Sequence, residues 1–152
     1  MNSAGERAGR TGRRHVLLVE PVEDLRALLE EVLIEGGCRV DVAASGREMR
    51  AALARSYYDC VLVDIDQNRT LDYGLELAGI AAAAGSRIIM IPDHRTSSAM
   101  IAAKGWLQLS KPFTVSAVLA LLDQAVGPSG SRAAIKLRAD DAARLSRQAA
   151  VY

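Results

Sequence analysis

Aromatic residues are scarce in this 152-residue chain, which has one Trp, four Tyr and one Phe, so its core must be aliphatic. Its two cysteines cannot form a disulfide framework, and they fit a reducing compartment without proving one. The longest uncharged, mostly apolar run is residues 112–122, far short of the roughly 18 residues that a membrane helix needs. The first apolar run, residues 16–19, is also shorter than the apolar segment of about 7–15 residues in a signal peptide. We therefore expect a soluble, cytoplasmic protein.

The composition is that of one globular domain with short appendages. Half of the residues are apolar and 24% are charged, which excludes disorder throughout the chain. The net charge of +1 hides a segregation, because residues 1–14 and 127–152 each carry +3 while residues 15–126 carry −5. An acidic body thus has two basic ends.

Short apolar strands alternate with helical patterns five times along the chain. The predicted strands are residues 15–20, 39–43, 60–64, 87–91 and 106–109. The first predicted helix has its apolar face at residues 25–33 and ends at Gly36-Gly37. The other predicted helices are residues 45–55, 74–84, 96–103 and 115–126, with Ser45-x-x-Glu48 as a capping box and Thr114 as an N-cap.

This alternation predicts the fold class. Nearly continuous apolar strands that alternate with helices indicate a five-stranded parallel sheet covered on both faces, a doubly wound (βα)5 three-layer α/β sandwich. Residues 15–126 would form this domain. We expect residues 1–14 to be a disordered basic arm, and residues 127–152 to be a linker followed by a helix over residues 133–150. Cys38 and Cys60 begin the second and third strands with the first strand between them, which predicts buried thiols without a disulfide.

Chemically active residues cluster where the predicted strands end. Glu20 follows the first strand, Asp64 ends the third, and Lys111 follows the fifth. In a doubly wound sheet these positions share one edge, where ligands bind. Carboxylates suit a divalent cation and a lysine suits a phosphoryl group, so this edge is the candidate site.

The element order, the acid after the first strand, Asp64, and the run Leu109-Ser110-Lys111-Pro112-Phe113 together resemble the receiver domain of bacterial response regulators. The resemblance covers residues 15–126 and implies a flavodoxin-like fold and a signalling role rather than an enzymatic one. It implies that Asp64 accepts a phosphoryl group from a sensor histidine kinase or a phosphotransfer protein. It also implies that Lys111 contacts this group, that Glu20 and Asp64 hold Mg²⁺, and that the bond before Pro112 is cis.

The chain departs from the family pattern at several positions. Pro21 stands where a second acid is expected, which weakens the expected Mg²⁺ site, and Pro92 replaces a hydroxyl residue after the fourth strand. Gln108 takes the aromatic switch position of the fifth strand, and the loop over residues 65–73 is longer than expected. The acids that would have to replace the missing one are Glu23, Asp66 and Asp93.

These observations leave several functions open. The first is a single-domain response regulator phosphorylated at Asp64, and the second is a pseudo-receiver that acts only by dimerisation or partner binding. A downstream partner or a second copy would bind the face of the fourth helix, fifth strand and fifth helix, or the C-terminal helix. A small nucleotide- or flavin-binding enzyme lacks support because the chain has no glycine-rich phosphate loop. A nucleic-acid-associated regulator would have to use the basic ends, since no nucleic-acid-binding motif is present.

Overall fold

The computed structural model describes residues 13–64, 71–92 and 98–127 of the chain. These residues form five strands and five helices in strict alternation. The strands are β1 (His15–Val19), β2 (Arg39–Ala43), β3 (Cys60–Asp64), β4 (Arg87–Ile91) and β5 (Leu107–Gln108). The helices are α1 (Glu23–Glu35), α2 (Gly46–Arg55), α3 (Leu71–Ala83), α4 (Ser98–Ala103) and α5 (Val115–Val126). Among these described helices, none has the length and apolar character needed to cross a membrane.

The five strands form one parallel sheet in the order β2-β1-β3-β4-β5. β1 pairs with β2 on one side and with β3 on the other, with Leu18 opposite both Val42 and Leu62. The sheet order changes direction at β1, so helices cover both faces. This arrangement confirms the predicted doubly wound three-layer fold.

Two aliphatic cores lie on opposite faces of the sheet, because side chains alternate along each strand. Val16 and Leu18 of β1 enter the core under α1 and α5, which also contains Phe113. Leu17 and Val19 enter the core under α2, α3 and α4, which also contains Tyr58. Strands that are buried on both faces need continuous apolar sequence, which explains the pattern of β1 and β3.

Two predicted helix caps are present. The Ser45 hydroxyl accepts a hydrogen bond from the Glu48 backbone N–H, and the Glu48 carboxylate accepts one from the Ala44 N–H. The Thr114 hydroxyl accepts from the Ala117 N–H at the start of α5. These side chains satisfy amide groups that have no partner inside the helix.

Some element boundaries differ from the prediction. α3 begins at Leu71 rather than at residue 74, because Tyr73 packs against the second core and so stabilises an additional turn. β1 ends at Val19, one residue early, and β5 is only two residues long. β5 is an edge strand that pairs with β4 alone, through Leu107 and Gln108. The predicted helix over 96–103 is seen from Ser98, since residues 96 and 97 lie outside the described residues.

The prediction that residues 1–14 form a disordered arm is wrong for Arg14, because this residue belongs to the folded domain. Its backbone C=O accepts a hydrogen bond from the Arg39 N–H, which extends the pairing of β1 and β2. Its side chain is buried and forms an ion pair with Asp123 of α5. Residues 1–12, the linker after Gly127 and the predicted C-terminal helix lie outside the described residues.

Cys38 and Cys60 are both buried and unpaired, as the sequence predicted. Burial raises the pKa of both thiols, most strongly that of Cys60, which has no exposed surface. Neutral, buried thiols behave as small apolar side chains, so we assign them to packing.

Candidate functional site

The three candidate residues lie at the carboxyl edge of the sheet. Glu20 directly follows β1, Asp64 is the last residue of β3, and Lys111 lies in the loop between β5 and α5. β1 and β3 are adjacent at the centre of the sheet, where the order of strands changes direction. The structure therefore brings together three residues that are far apart in sequence at the edge where such sheets bind ligands.

Lys111 and Asp64 form an ion pair, with 3.1 Å between Nζ and Oδ2. Their side chains are 19% and 5% exposed, so the pair is shielded from solvent on most sides. Leu109 and Phe113 anchor the loop on either side of Lys111, because both are buried in the first core. The peptide bond between Lys111 and Pro112 is cis, as the resemblance implied.

Glu20 is fully buried beside Asp64. Its Oε1 accepts a hydrogen bond of 3.0 Å from the Val22 N–H, whereas its Oε2 has no hydrogen-bond donor. Burial, together with the neighbouring carboxyl group of Asp64, raises the pKa of Glu20 to about 9. The Val22 N–H and the Lys111 ammonium act in the opposite direction and are outweighed. Without a bound cation, Glu20 therefore holds its proton at neutral pH.

Arg26 fixes the loop that carries Glu20 and Pro21. Its guanidinium donates a hydrogen bond of 3.0 Å to the Glu20 carbonyl, and a longer one of 3.5 Å to the Pro21 carbonyl. Sequence reasoning missed this role. The available signal was a basic residue in the first turn of a helix, where the helix dipole favours acids.

Glu20 and Asp64 provide a small set of carboxylates that would hold Mg²⁺. Mg²⁺ is often held by one or two carboxylates and several waters, and Glu20 and Asp64 supply two. The Oε2 atom of Glu20 is buried and accepts no hydrogen bond in the described part of the chain, so it is available to a cation. Within residues 13–64, 71–92 and 98–127, however, no three His, Cys, Asp or Glu side chains cluster as a metal site. Pro21 is half-buried and provides no carboxylate.

The alternative acids do not join this pair in the described part of the chain. Glu23 is exposed at the first turn of α1. Asp66 and Asp93 lie outside the described residues, and so do His94, Thr96 and Ser97. Pro92 is half-buried after β4 and, as a proline, offers no donor to a phosphoryl group.

An open cleft adjoins Asp64 on the side of α2 and α3. Its lining is polar and apolar in about equal parts, and Tyr73 forms one wall. The lining residues are Val19, Pro21, Ala44, Ser45, Gly46, Asp64, Tyr73 and Leu77. Gly46 allows the close approach of α3, since a Cβ there would lie 2.3 Å from the Tyr73 hydroxyl.

Gln108 connects the site loop to α4. Its Nε2 donates hydrogen bonds of 3.0 Å to the hydroxyls of Ser98 and Ser110. Ser98 is the first residue of α4, and Ser110 immediately precedes Lys111. A polar amide thus links these segments at the position where the resemblance implied an aromatic side chain.

A polar cluster lies away from the site, at the amino ends of β1 and β3. The Tyr58 hydroxyl donates a hydrogen bond of 2.7 Å to Asp41 Oδ2, and His15 Nε2 lies 3.1 Å from the same oxygen. Partial burial favours a higher pKa for Asp41, but hydrogen bonds from Tyr58 and His15 outweigh it and lower the pKa. Burial and the bond to Asp41 raise the pKa of Tyr58 to about 12. No pattern in the sequence indicates this cluster.

No protein-family model and no curated protein matches the chain. Solved structures share its fold. The chemotaxis protein CheY4 of Vibrio cholerae is 25% identical with a TM-score of 0.63, over 74% of this chain and 98% of that one. A response regulator receiver protein from Sinorhizobium medicae is 24% identical with a TM-score of 0.65, over 75% of this chain and 94% of that one.

A third similar structure was solved with a metal ion. It is the receiver domain of a sensor histidine kinase from Pseudomonas aeruginosa, with a magnesium ion coordinated in its active-site cleft. It is 21% identical with a TM-score of 0.61, over 76% of this chain and 98% of that one.

Proposed function

Because the chain has the fold of response regulator receiver domains, we propose that it is a single-domain response regulator in a two-component phosphorelay. One observation carries the proposal. Lys111 Nζ lies 3.1 Å from Asp64 Oδ2, and the fully buried Glu20 lies beside them at the carboxyl edge. A strand-end aspartate with a cation on one side and a second carboxyl group on the other suits phosphoryl transfer.

In the proposed reaction, a carboxylate oxygen of Asp64 attacks the phosphorus of a phosphohistidine on a sensor kinase or phosphotransfer protein. The new O–P bond forms as the N–P bond breaks, and the leaving imidazole takes up a proton. The ammonium of Lys111 moves from Asp64 to an oxygen of the phosphoryl group and balances its charge. Mg²⁺, held by Glu20 and Asp64, would supply further charge neutralisation when bound. The chain itself acts as a signalling module and not as an enzyme.

The face of α4, β5 and α5 is proposed to bind the downstream partner or a second copy. Residues 98–127 contain only three charged side chains, Lys104, Lys111 and Asp123. Lys111 and Asp123 are in ion pairs with Asp64 and Arg14. Gln108 links this face to the loop that carries Lys111, so movement of Lys111 would reach α4 through Ser110 and Ser98.

Intact-mass measurement after incubation with acetyl phosphate and Mg²⁺ tests the proposal. We expect one phosphoryl adduct on the parent protein and none on Asp64→Asn. Lys111→Met should lower the yield of the adduct, since the phosphoryl group then lacks its cation. An adduct that persists in Asp64→Asn would place the acceptor elsewhere and contradict the assignment of Asp64.

Pro21 and Pro92 favour a second candidate, a pseudo-receiver that signals by partner or dimer exchange without efficient phosphorylation. Pro21 removes one metal ligand, and Pro92 removes a hydroxyl that would bind the phosphoryl group. The proton held by Glu20 also competes with a cation. If neither acetyl phosphate nor a panel of phosphorylated histidine kinases gives an adduct, this second function replaces the first. The face of α4, β5 and α5 then becomes the primary site of action.

A further inference from the structure

The exposed side of α1 is strongly acidic. Between Glu23 and Glu35 the helix has five acids and a single base, Arg26, which gives it a net charge of −4. Ile34 lies on the same side and is 52% exposed, although it is a large apolar residue. An acidic helix face with an exposed aliphatic side chain suits a basic segment that also brings apolar atoms.

The chain leaves the described domain beside the C-terminal end of this helix. The Arg14 guanidinium donates hydrogen bonds to the carbonyl of Gly127 at 3.0 Å and to the carbonyl of Gly36 at 3.4 Å. Gly36 is the C-cap of α1, and Gly127 is the last described residue. One guanidinium therefore contacts both the end of α1 and the start of the C-terminal segment, which is residues 128–152.

The C-terminal segment has the length and the charge to cover α1. Residues 128–152 carry a net charge of +3, and residues 133–150 have strong helix propensity. A helix over those residues would be about 27 Å long, whereas α1 with its 13 residues is about 20 Å long. A helix that starts beside Gly36 and runs antiparallel to α1 would thus span its whole length.

The charges of the two segments complement one another in this antiparallel arrangement. With Arg132 placed opposite Glu35, Lys136 falls opposite Glu31 and Arg144 falls opposite Glu23. We propose that residues 132–147 dock antiparallel on the exposed side of α1 in the same chain and cover Ile34.

This docking would bring the far end of the segment to the site. Arg144 would lie near Glu23, at the first turn of α1, and Arg26 ties that turn to the carbonyls of Glu20 and Pro21. Salt would release the docked segment, because the attraction is electrostatic. The proposal does not depend on whether Asp64 is phosphorylated.

Zero-length cross-linking of the full chain tests the docking. A carbodiimide activates a carboxylate, which then forms an amide with a lysine amine while the carboxylate oxygen leaves as the urea. The chain has only three lysines, and Lys136 is the one in the C-terminal segment. We expect peptides that join Lys136 to Glu31 or Glu35, with a yield that falls several-fold from low to high salt.

Lys136→Arg is the matched control, because it keeps the charge and removes the reactive amine, and it should abolish these cross-links. A mixture of unlabelled and ¹⁵N-labelled protein separates the two topologies. Cross-linked peptides of a single isotope support docking within one chain, whereas mixed-isotope peptides would show docking on a second copy and overturn the proposal. Attachment of Lys136 mainly to carboxylates outside α1, or no attachment at all, would also overturn it.

Discussion

The guanidinium of Arg14 lies 2.6 Å from the carboxylate of Asp123, although 109 residues separate them in the sequence. The side chain of Arg14 is 7% exposed and that of Asp123 is 27% exposed. The same guanidinium also reaches the carbonyls of Gly36 and Gly127. One ion pair thus joins the start of β1, the end of α1 and the end of α5.

We predict that Asp123→Asn lowers the free energy of unfolding by about 2–3 kcal/mol, because it leaves a buried guanidinium without its counter-charge. Urea denaturation at neutral pH measures this change. Arg13→Ala is the matched control, since Arg13 is adjacent and exposed, and it should change stability by less than about 0.5 kcal/mol. Equal effects of the two substitutions would show that the ion pair adds nothing specific.

Replacement of glycine by alanine should have opposite effects on the free energy of unfolding at two helical positions, Gly46 and Gly79. A Cβ on Gly46 would clash with the Tyr73 hydroxyl and lie 2.8 Å from Leu77 Cδ2, so Gly46→Ala forces these two side chains of α3 out of their packed positions. We expect a loss of about 1–3 kcal/mol in the free energy of unfolding.

Gly79 in α3 is the control, because a Cβ there would meet no atom within 4 Å. Gly79→Ala should raise the free energy of unfolding by about 0.5–1 kcal/mol, through helix propensity alone. Thermal and urea unfolding of both variants provide the comparison. If Gly46→Ala also stabilised the protein, Tyr73 would not be packed tightly against α2.

The sequence predicted the features that depend on local patterns. Period and apolar content located all five strands, and the position of Asp64 and Lys111 after strands placed both at one edge of the sheet. The caps at Ser45 and Thr114 were predicted because their partners lie three residues away. Once the fold class is known, these local patterns are enough to say where the residues lie in the structure.

The features that the sequence did not predict depend on pairs of distant residues. Arg14 was assigned to a disordered arm because nothing near it indicates Asp123 as its partner. The early start of α3 depends on the packing of Tyr73 against the second core. The proton held by Glu20 depends on its burial and on the proximity of Asp64, which no spacing in the sequence reveals. Such contacts are set by tertiary packing.

Because the Tyr58 hydroxyl donates a hydrogen bond to Asp41, we expect the free energy of unfolding to fall at alkaline pH. Burial and this bond raise the pKa of Tyr58 to about 12, so the folded state retains a proton that the unfolded chain loses near pH 10. The contribution is therefore fully present below about pH 10 and is lost as the pH rises towards 12. We expect Tyr58→Phe to cost about 1 kcal/mol at neutral pH, with a smaller difference from the parent above pH 10.

Urea denaturation between neutral and alkaline pH measures both effects. Tyr57→Phe is the control, because the Tyr57 hydroxyl donates to the Gly85 carbonyl and not to a carboxylate. Its cost should be smaller than that of Tyr58→Phe, since a charged acceptor strengthens a hydrogen bond. A Tyr58→Phe difference that stays constant above pH 10 would contradict the assigned bond.

Substitution of Pro21 by aspartate should increase the affinity of the site for Mg²⁺. Pro21 lies beside Glu20 and lines the cleft at Asp64, so Pro21→Asp adds a carboxylate next to the two already present. A third negative charge within a few ångströms of a divalent cation should lower the Kd for Mg²⁺ by about tenfold or more. Isothermal titration calorimetry of the parent and the variant measures this change directly.

Pro21→Asn is the matched control. Asparagine is as large as aspartate and also removes the constraint of the proline ring, but it adds no negative charge. It should bind Mg²⁺ more weakly than Pro21→Asp, since an amide oxygen carries no net charge. Equal affinities for the two variants would mean that the backbone at residue 21, and not the missing carboxylate, limits binding. Combined with Pro92→Thr, which restores a hydroxyl after β4, Pro21→Asp should also raise the yield of the phosphoryl adduct. If the double variant binds Mg²⁺ tightly and still gains no phosphoryl group, the obstacle lies in residues 65–70, directly after Asp64.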